Sequence, residues 1–178
     1  ISIGDNYVKL PKVGKVKAKI SLDVSLLKIK SATITQNRDD SYQVSILVEY
    51  DEVPITVGVA TEDNTIGLDY KSDGLYVDSN GDIADMPHYY RKSAHQLAKR
   101  QRKLKNKVVG SNNYYKQQKK VAKIHRHIAN QRKDYLHQKS TEIVNQYDFV
   151  CVEDLNMKAM SNKGFSNGKA TMDNGYGM

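Results

Sequence analysis

Two acidic side chains, Asp69 and Glu153, each follow a short apolar run typical of a β-strand, TIGL and FVCV respectively. A strand backbone is rigid, so it can aim a carboxylate. If the two strands lie side by side, the carboxylates converge. Two or three convergent carboxylates can hold a pair of Mg²⁺ ions about 4 Å apart, which activate water and stabilise the leaving oxygen of a phosphodiester. The alternative is that Asp69 is a turn residue and Glu153 a solvated strand end, and the spacing alone does not overturn it.

The residues between these two acids must position them. The run TIGLDY at 65–70 predicts a strand, residues 75–77 a second, and residues 83–84 the start of a third. Asn80-Gly81 between the last two is a strong hairpin-turn signal. A long helical stretch then leads to a fourth strand at 149–152. A strand, a helical crossover and another strand favour a parallel, right-handed arrangement, so we expect the fourth strand to lie beside the first.

The helical stretch at about 88–146 is predicted to be an antiparallel hairpin, since Gly110 and its polar neighbours interrupt the apolar pattern. Each helix carries a narrow apolar stripe, too thin and too interrupted to span a membrane. The predicted stripe residues are Ala94, Leu97, Leu104 and Val108 in the first helix, and Val121, Ile124, Ile128 and Tyr135 in the second, with Leu136 and Ile143 nearby.

Positive charge is concentrated in this same stretch. Residues 91–139 carry 16 Lys and Arg against one acid, Asp134, whereas the rest of the chain has 12 against 19 acids. Such segregation indicates a segment that lies beside a polyanion. The predicted nucleic-acid contacts are Arg91, Lys92, Lys99, Arg100, Arg102, Lys103, Lys105, Lys116, Lys119, Lys120, Lys123, Arg126, Arg132 and Lys133.

The first 60 residues predict a small antiparallel β unit, with strands expected at 7–20 around a turn at Pro11 and Gly14, at 27–35 and at 42–49. We expect this unit to be barrel-like and assign it residues 1–63. Its lysines have two open interpretations, a phosphate-facing surface or protection of edge strands. They are Lys9, Lys12, Lys15, Lys17, Lys19, Lys28 and Lys30.

Several classes of protein are excluded or disfavoured by composition. The single Cys151 rules out an internal disulfide and a Cys-based zinc finger, so no zinc is expected, and it fits a reducing, cytoplasmic environment. No apolar run approaches the roughly 18 residues of a membrane span. The chain begins at Ile1 without a leader pattern, which predicts a removed start or a piece of a longer protein. Residues 161–178 lack periodicity and predict a loop or a disordered end.

Other reactive side chains have simpler interpretations. His125 and His127 are two apart on a helix and point about 200° apart, so they are poorly placed to share a metal. Cys151 lies in a continuous apolar run, which predicts a strand buried on both faces and a small core residue. Tyrosines at the hairpin ends are expected to stack on bases or to pack against the sheet. They are Tyr89, Tyr90, Tyr114 and Tyr115.

Three motifs in series resemble the TnpB (OrfB) family of insertion-sequence proteins. Ile66-Gly67-Leu68-Asp69 looks like the opening of that family's RuvC-like nuclease domain, and the run from Val152 to Met157 (VEDLNM) is similar to its second acidic motif. Residues 91–148 between them resemble the family's helical segment, most closely at AKIH (122–125) and IANQRKDYLH (128–137). The resemblance covers roughly residues 1–160.

The resemblance implies a mixed α/β, RNase H-like (RuvC-type) sheet over residues 64–160, preceded by a β-rich wedge-like unit. It implies an RNA-guided, Mg²⁺-dependent DNA endonuclease of the type often called a transposase, with guide RNA and DNA as partners in a prokaryotic cytoplasm. In that family the acid at the position of Glu153 is a metal ligand, and Asp69 corresponds to the first acid. Base pairing with the guide reads the target, while the protein holds backbone.

Three departures from the family pattern change the expectation. Lys71 stands where the family usually has Gly, and a lysine there would crowd or screen the metal ions. The zinc ribbon and the last catalytic Asp are absent, and Asp173 is a poor substitute for the latter. Because two carboxylates hold two metal ions poorly, we expect a fragment with little or no catalytic activity alone. The rival interpretations are a remnant that binds nucleic acid without cutting, and a structural coiled-coil protein.

Overall fold

A computed structural model describes residues 1–20, 27–51, 58–71 and 74–160 of the chain. The chain divides into two compact units, Ile1–Ile55 and Thr56–Met178. The sequence pattern predicts this boundary between residues 63 and 64. The predicted loop or disordered end at 161–178 lies outside the described residues.

The first unit begins with a three-stranded antiparallel sheet in the order β1-β2-β3 (Ser2–Gly4, Tyr7–Leu10 and Gly14–Lys17). The β2–β3 turn needs left-handed backbone, which Gly14 adopts at φ 82° without the steric cost of a side chain. Val8 pairs with Val16, and Val8 and Leu10 are buried. The predicted pair of strands around Pro11 and Gly14 is thus confirmed, whereas β1 was not predicted.

A second antiparallel pair in this unit comprises β4 (Lys28–Gln36) and β5 (Tyr42–Glu49), with an irregularity of register between Ile29 and Ser31. Both strands were predicted within one residue of these bounds. The expected barrel is not what the described residues form, because the ladder of β1–β3 and that of β4–β5 are two separate sheets. Alternating sequence predicts strands but carries little information on which strand pairs with which.

The second unit contains a four-stranded mixed sheet in the order β8-β7-β6-β9. A meander of β6 (Thr65–Tyr70), β7 (Tyr76–Asp78) and β8 (Ile83–Ala84) is antiparallel. The last strand, β9 (Phe149–Val152), pairs in parallel with β6, from Thr65 opposite Phe149 to Leu68 opposite Val152. The predicted parallel neighbour is therefore confirmed. The described part of the chain is a mixed α/β structure.

Between β8 and β9 the chain forms a helical hairpin of α1 (Tyr89–Lys105) and α2 (Asn112–Gln146), and a short α3 (Met157–Met160) follows β9. Leu97 and Ile128 are buried, as predicted for the apolar stripe. Buried Gln117 of α2 donates a 2.9 Å hydrogen bond to the carbonyl of Arg100 in α1. Within the described ranges, none of the helices has a stretch apolar and long enough to traverse a lipid bilayer.

One predicted stripe residue, Val108, and one residue predicted near the stripe, Leu136, are exposed. Val108 is 78% exposed, because α1 ends at Lys105 and the valine falls in the turn between the helices. Leu136 is also exposed on the surface of α2. The spacing of three and four residues predicts a stripe only while the helix continues, and it contains no signal for the helix end at Lys105.

The C-terminal half of α2 lies against one face of the sheet. A cleft between them is lined by Ile66, Leu68 and Tyr76 from the strands, by Ile143 of α2 and by Tyr147, which directly follows α2. Ile66 is only 1% exposed and belongs to the hydrophobic core of the second unit. Fully burying an isoleucine side chain contributes about 1.5–3 kcal/mol, so this contact holds β6 to the helix.

The prediction that β9 is buried on both faces is wrong. Val150, Cys151 and Val152 are all exposed in the described structure. The physical reason is that β9 forms an edge of the sheet, with β6 as its ladder partner. Cys151 is consequently not the core residue that its apolar neighbours predicted.

Candidate metal site and nucleic-acid interface

Asn64 ties together the starting points of β6 and β9. Its backbone carbonyl accepts hydrogen bonds from the amides of Asp148 and Phe149, at 3.0 and 3.1 Å. Its side-chain amide donates to Asp148 Oδ2 at 3.3 Å and to the Val59 carbonyl at 3.1 Å, and its Oδ1 accepts from the Thr61 amide at 2.7 Å. These bonds set the register between the two parallel strands.

That register brings Asp69 and Glu153 together. Leu68 is opposite Val152, so the two acids are the next residues on neighbouring strands. Neighbouring strands lie about 4.8 Å apart, and residues side by side in a parallel ladder point to the same face. Both acids are exposed, and both line one open, shallow cleft. The two acids therefore lie at the same end of neighbouring strands and line the same cleft, and their joint role as metal ligands stays a prediction.

The rest of this cleft is built mostly from small or apolar side chains, together with one further acidic residue, Asp78. Gly67, Val77, Ser79 and Cys151 contribute to it. Ser79 packs over Gly67, since its amide donates to the Gly67 carbonyl at 2.9 Å and its hydroxyl accepts from the Gly67 amide at 3.3 Å. These bonds hold the β7–β8 turn against β6, beside the acids.

The donor set is compatible with a magnesium ion. Mg²⁺ prefers oxygen ligands, keeps several of its waters and is commonly bound through one or two carboxylates. Asp69 and Glu153 supply two such carboxylates from a rigid sheet edge that water can reach. Among the described residues, no group of three or more His, Cys, Asp and Glu side chains is close enough to hold a metal. Asp173 lies outside the described residues.

Lys71, which departs from the family pattern, has a defined partner. Its ammonium lies 3.7 Å from Asp85 Oδ1, and its side chain is 27% exposed. Its amide donates to the Leu75 carbonyl at 3.4 Å, which closes the β6–β7 connection. The expectation that this lysine screens bound metal ions stays a prediction.

The predicted nucleic-acid contacts on the hairpin differ in exposure. Arg132 is buried at 8% exposure within α2, so it is not part of the accessible basic surface. Arg100, Lys119 and Arg126 are half-buried. The remaining predicted contacts are exposed, and we call them the basic face: Arg91, Lys92, Lys99, Arg102, Lys103, Lys105, Lys116, Lys120, Lys123 and Lys133.

The tyrosine and histidine side chains of the hairpin also differ in exposure. Tyr89 packs edge-on against Tyr135 with ring centroids 6.5 Å apart, as expected for packing rather than base stacking. Tyr90 and Tyr115 are 43% and 50% exposed. His125 and His127 are both exposed on α2.

The lysines of the first unit also separate into two groups. Lys28 and Lys30 both contact Glu49 Oε2, at 2.9 and 2.8 Å, and these hydrogen bonds, with Lys30 the larger cause, lower the pKa of the Glu49 carboxyl. These two ion pairs join β4, which carries the lysines, to β5, which carries Glu49. Lys9 lies opposite Lys15, whose ammonium is 4.6 Å from the centre of the Tyr7 ring. A phosphate-facing role for this second group stays a prediction.

Sequence reasoning missed two residues that shape the site, Asn64 and Ser79. Their residue types are those of ordinary turns, and their side chains bond to backbone groups that the sequence does not identify. One signal was present for Asn64. It stands five residues before Asp69, and Asp148 stands five residues before Glu153, so a link between these polar residues would align the acids.

Comparisons with known proteins show which family the chain belongs to. Residues 45–164 match the OrfB_IS605 family, described as a probable transposase. "Putative RNA-guided DNA endonuclease InsQ" of Escherichia coli (strain K12) is 32% identical over 157 residues, which cover 88% of this chain and 38% of that protein. "Putative RNA-guided DNA endonuclease" of Streptomyces pristinaespiralis is 31% identical over 134 residues, 75% of this chain and 32% of that protein. The chain thus spans between 32% and 38% of the length of these relatives. Because the family match extends over about two thirds of its residues, the chain belongs to the OrfB_IS605 family of probable transposases.

Proposed function

We propose that this chain carries two acidic residues of a Mg²⁺-dependent DNA-cleaving site, within an RNA-guided DNA endonuclease. The observation that carries the proposal is the parallel register of β6 and β9, which makes Asp69 and Glu153 neighbours at one exposed sheet edge. Family membership and the two relatives named as RNA-guided DNA endonucleases support it.

We extend the proposal to the fold, a RuvC-like member of the RNase H class. Its support is topological. An antiparallel meander, a long helical crossover and a parallel strand beside the first strand occur in that order. Both acids lie at the carboxyl ends of neighbouring strands, the edge where ligands of mixed and parallel α/β sheets commonly bind.

In this proposal the chain's own residues give the site its geometry and its negative charge. Asp69 and Glu153 present carboxylate oxygens from rigid strands, and Ser79 holds the adjacent turn against Gly67. A bound Mg²⁺ would supply Lewis-acid stabilisation of the phosphodiester and a more acidic water. The surrounding cleft is open enough to admit an extended strand of nucleic acid, because it is a shallow surface rather than an enclosed cavity.

The basic face would hold the sugar-phosphate backbone of DNA and guide RNA. From residue 86 to 133 the sequence contains no acidic side chain, so its lysines and arginines meet no carboxylate within that segment. Contacts with phosphates position a nucleic acid without reading its sequence. That division suits a protein in which base pairing with a guide selects the target.

The second candidate function is nucleic-acid binding without cleavage. It is favoured by one observation, that the described residues present two convergent carboxylates rather than a group of three metal-binding side chains. Both candidates predict strong, salt-dependent binding, so affinity does not separate them. Turnover does.

The test is cleavage of a labelled single-stranded DNA by the purified chain, with and without Mg²⁺, alongside a binding measurement on the same DNA. Cleavage that is lost in Asp69→Asn and in Glu153→Gln, but retained in Glu62→Gln, supports the first candidate. Glu62 is a matched control because it is an exposed acid of the same unit. Tight binding with no Mg²⁺-dependent product in any variant supports the second.

A further inference from the structure

The turn between α1 and α2 presents two adjacent valines to solvent. Val108 and Val109 are each 78% exposed, although both carry branched apolar side chains. We call residues 106–111 the hairpin tip. Isolated apolar residues on a surface are ordinary, but an exposed adjacent pair in the turn of a helical hairpin is a candidate contact site.

The hairpin tip is a well-defined turn. The Lys107 amide donates to the Leu104 carbonyl at 3.0 Å, and Ser111 donates to the Val108 carbonyl twice, from its amide at 3.1 Å and its hydroxyl at 2.7 Å. The Ser111 hydroxyl also accepts from the Tyr114 amide at 3.1 Å, which caps α2. Gly110 supplies the left-handed conformation, at φ 84°, that reverses the chain. The valine pair is therefore held between two fixed helix ends.

The surroundings of the valine pair select a polyanion as its partner. Lys105 and Lys107 precede the pair and Lys116 and Lys120 follow it, all exposed, and no acidic residue lies nearby in sequence. A second basic tip would be repelled electrostatically. A partner with an apolar interior between two rows of negative charge fits better, and stacked bases between phosphate backbones have that chemistry.

The size of the hairpin decides where on a nucleic acid the pair can reach bases. Two packed helices have axes about 8–10 Å apart and are each about 10 Å wide, so together they measure roughly 20 Å. The major groove of DNA is only about 12 Å wide, and the minor groove about 6 Å. The hairpin tip cannot enter a groove as a unit. It can lie against the flat face of a base pair where stacking ends.

We infer that Val108 and Val109 form an apolar cap that packs on the last base pair of a DNA duplex, at a junction between paired and unpaired strands. The lysines around the tip hold the two backbones at that junction. The inference rests on the proposed function, because opening a DNA target for pairing with a guide creates such a junction.

The test compares two DNAs whose paired regions have the same length and sequence. One is a fork with unpaired arms, and the other is a duplex closed by a loop at both ends so that no base pair is open. The chain is expected to bind the fork at least about fivefold more tightly, as apolar burial of two valines would provide. A 2-aminopurine at the last base pair of the fork should change its fluorescence on binding.

Matched variants isolate the cap from the charge around it. Val108→Thr/Val109→Thr keeps the shape of both side chains and all charges, and it should abolish the fork preference and the fluorescence change while leaving affinity for the closed duplex unchanged. Val144→Thr is the control, because Val144 is 64% exposed on α2 at a position far from the tip in sequence. It should retain both signals.

Several results would overturn the inference. They are equal binding to fork and closed duplex, a fork preference that survives the double threonine variant, loss of it in Val144→Thr, or stronger binding to an RNA fork of the same sequence. A change in sedimentation of the double variant without a change in fork preference would assign the valines to self-association instead. Equal binding to both DNAs with steep salt dependence contradicts only the cap. Absence of any salt-dependent binding contradicts the proposed function itself.

Discussion

At the scale of single residues, the two acids owe their proximity to Asn64. Its side chain bonds to Thr61, Val59 and Asp148, and its carbonyl to the start of β9. Five residues then run along each strand to Asp69 and Glu153. The side chain and the carbonyl of Asn64 therefore help to align the two strands that lead to the acids.

Replacement of Asn64 tests this role. Asn64→Ala removes four side-chain hydrogen bonds at a partly exposed site, which should lower the free energy of unfolding by about 1–2 kcal/mol. Asn64→Asp should cost more at neutral pH, because it sets a second carboxylate beside Asp148. Thermal unfolding of the two variants at neutral pH shows which of them is the less stable.

The rescue variant makes the prediction specific. Adding Asp148→Asn to Asn64→Asp removes the repulsion and should recover part of the lost stability. If Asn64→Asp is as stable as the unsubstituted chain, the side-chain contact between Asn64 and Asp148 does not align the strands.

Residue types in the sequence were sufficient to predict that Asp69 and Glu153 lie at the ends of neighbouring parallel strands, since both follow apolar strands joined by a helical crossover. They were insufficient for Cys151 and Arg132. An apolar run predicts burial only if elements cover both faces, and Cys151 lies on an edge strand. Arg132 lies on the face of α2 that turns inward, where a long charged side chain is uncommon.

At the scale of elements, Tyr135 joins α2 to the segment that follows β8 and to α1. The Tyr135 hydroxyl donates to the Asp85 carbonyl, and the Tyr135 ring packs against Tyr89. Burial is the main cause that raises the pKa of Tyr135, and likewise that of Tyr76 on β7. The proton is thus held more firmly in the folded chain than in the unfolded one.

These shifts predict alkaline destabilisation. A tyrosine with a raised pKa in the folded state contributes stability that is fully present below its unfolded pKa of about 10 and is lost as pH rises through its folded value. The melting temperature should therefore fall steeply above about pH 10. Tyr135→Phe should melt lower than the unsubstituted chain at pH 8, yet lose less as pH rises.

Tyr42→Phe serves as the control, because Tyr42 is 63% exposed on β5, in the other unit of the chain. Circular dichroism melts at several pH values measure all three proteins. If the melting temperature of Tyr135→Phe falls as steeply at high pH as that of the unsubstituted chain, ionisation of Tyr135 is not a cause of the alkaline destabilisation.

Element positions followed closely from periodicity and turn residues, whereas strand pairing followed only where a helical crossover constrained it, as between β6 and β9. The bounds of β6 and β9 agree with prediction residue for residue. The exposed Val108, in contrast, continued the spacing of three and four past the true helix end at Lys105. The two sheets of the first unit show the same limit, because strand alternation does not specify partners.

At the scale of the whole molecule, opposite charges occupy different parts of the chain. The formal net charge is +8, yet residues outside 91–139 have more acids than bases. A polyanion should therefore bind chiefly along the hairpin rather than over the entire surface.

Salt dependence of DNA binding measures this distribution. Replacing three exposed residues of the basic face, Lys99, Lys103 and Lys120, by Gln should weaken binding and reduce the slope of log K against log salt by about 2–3, roughly 0.9 for each phosphate that is no longer neutralised. Lys28→Gln/Lys30→Gln should leave the slope almost unchanged, because Glu49 already engages both lysines. A similar reduction of the slope in both variants would mean that binding depends on total charge.

The central claim, that Asp69 and Glu153 form one divalent-metal site, is tested most directly by paramagnetic Mn²⁺ in an NMR titration of the chain. Substoichiometric Mn²⁺ should first broaden the amides around Asp69 and Glu153 together, excess Mg²⁺ should restore them, and Asp69→Asn should remove the effect while Glu62→Gln should not. Broadening centred on other acids, or unchanged in Asp69→Asn, would contradict the claim.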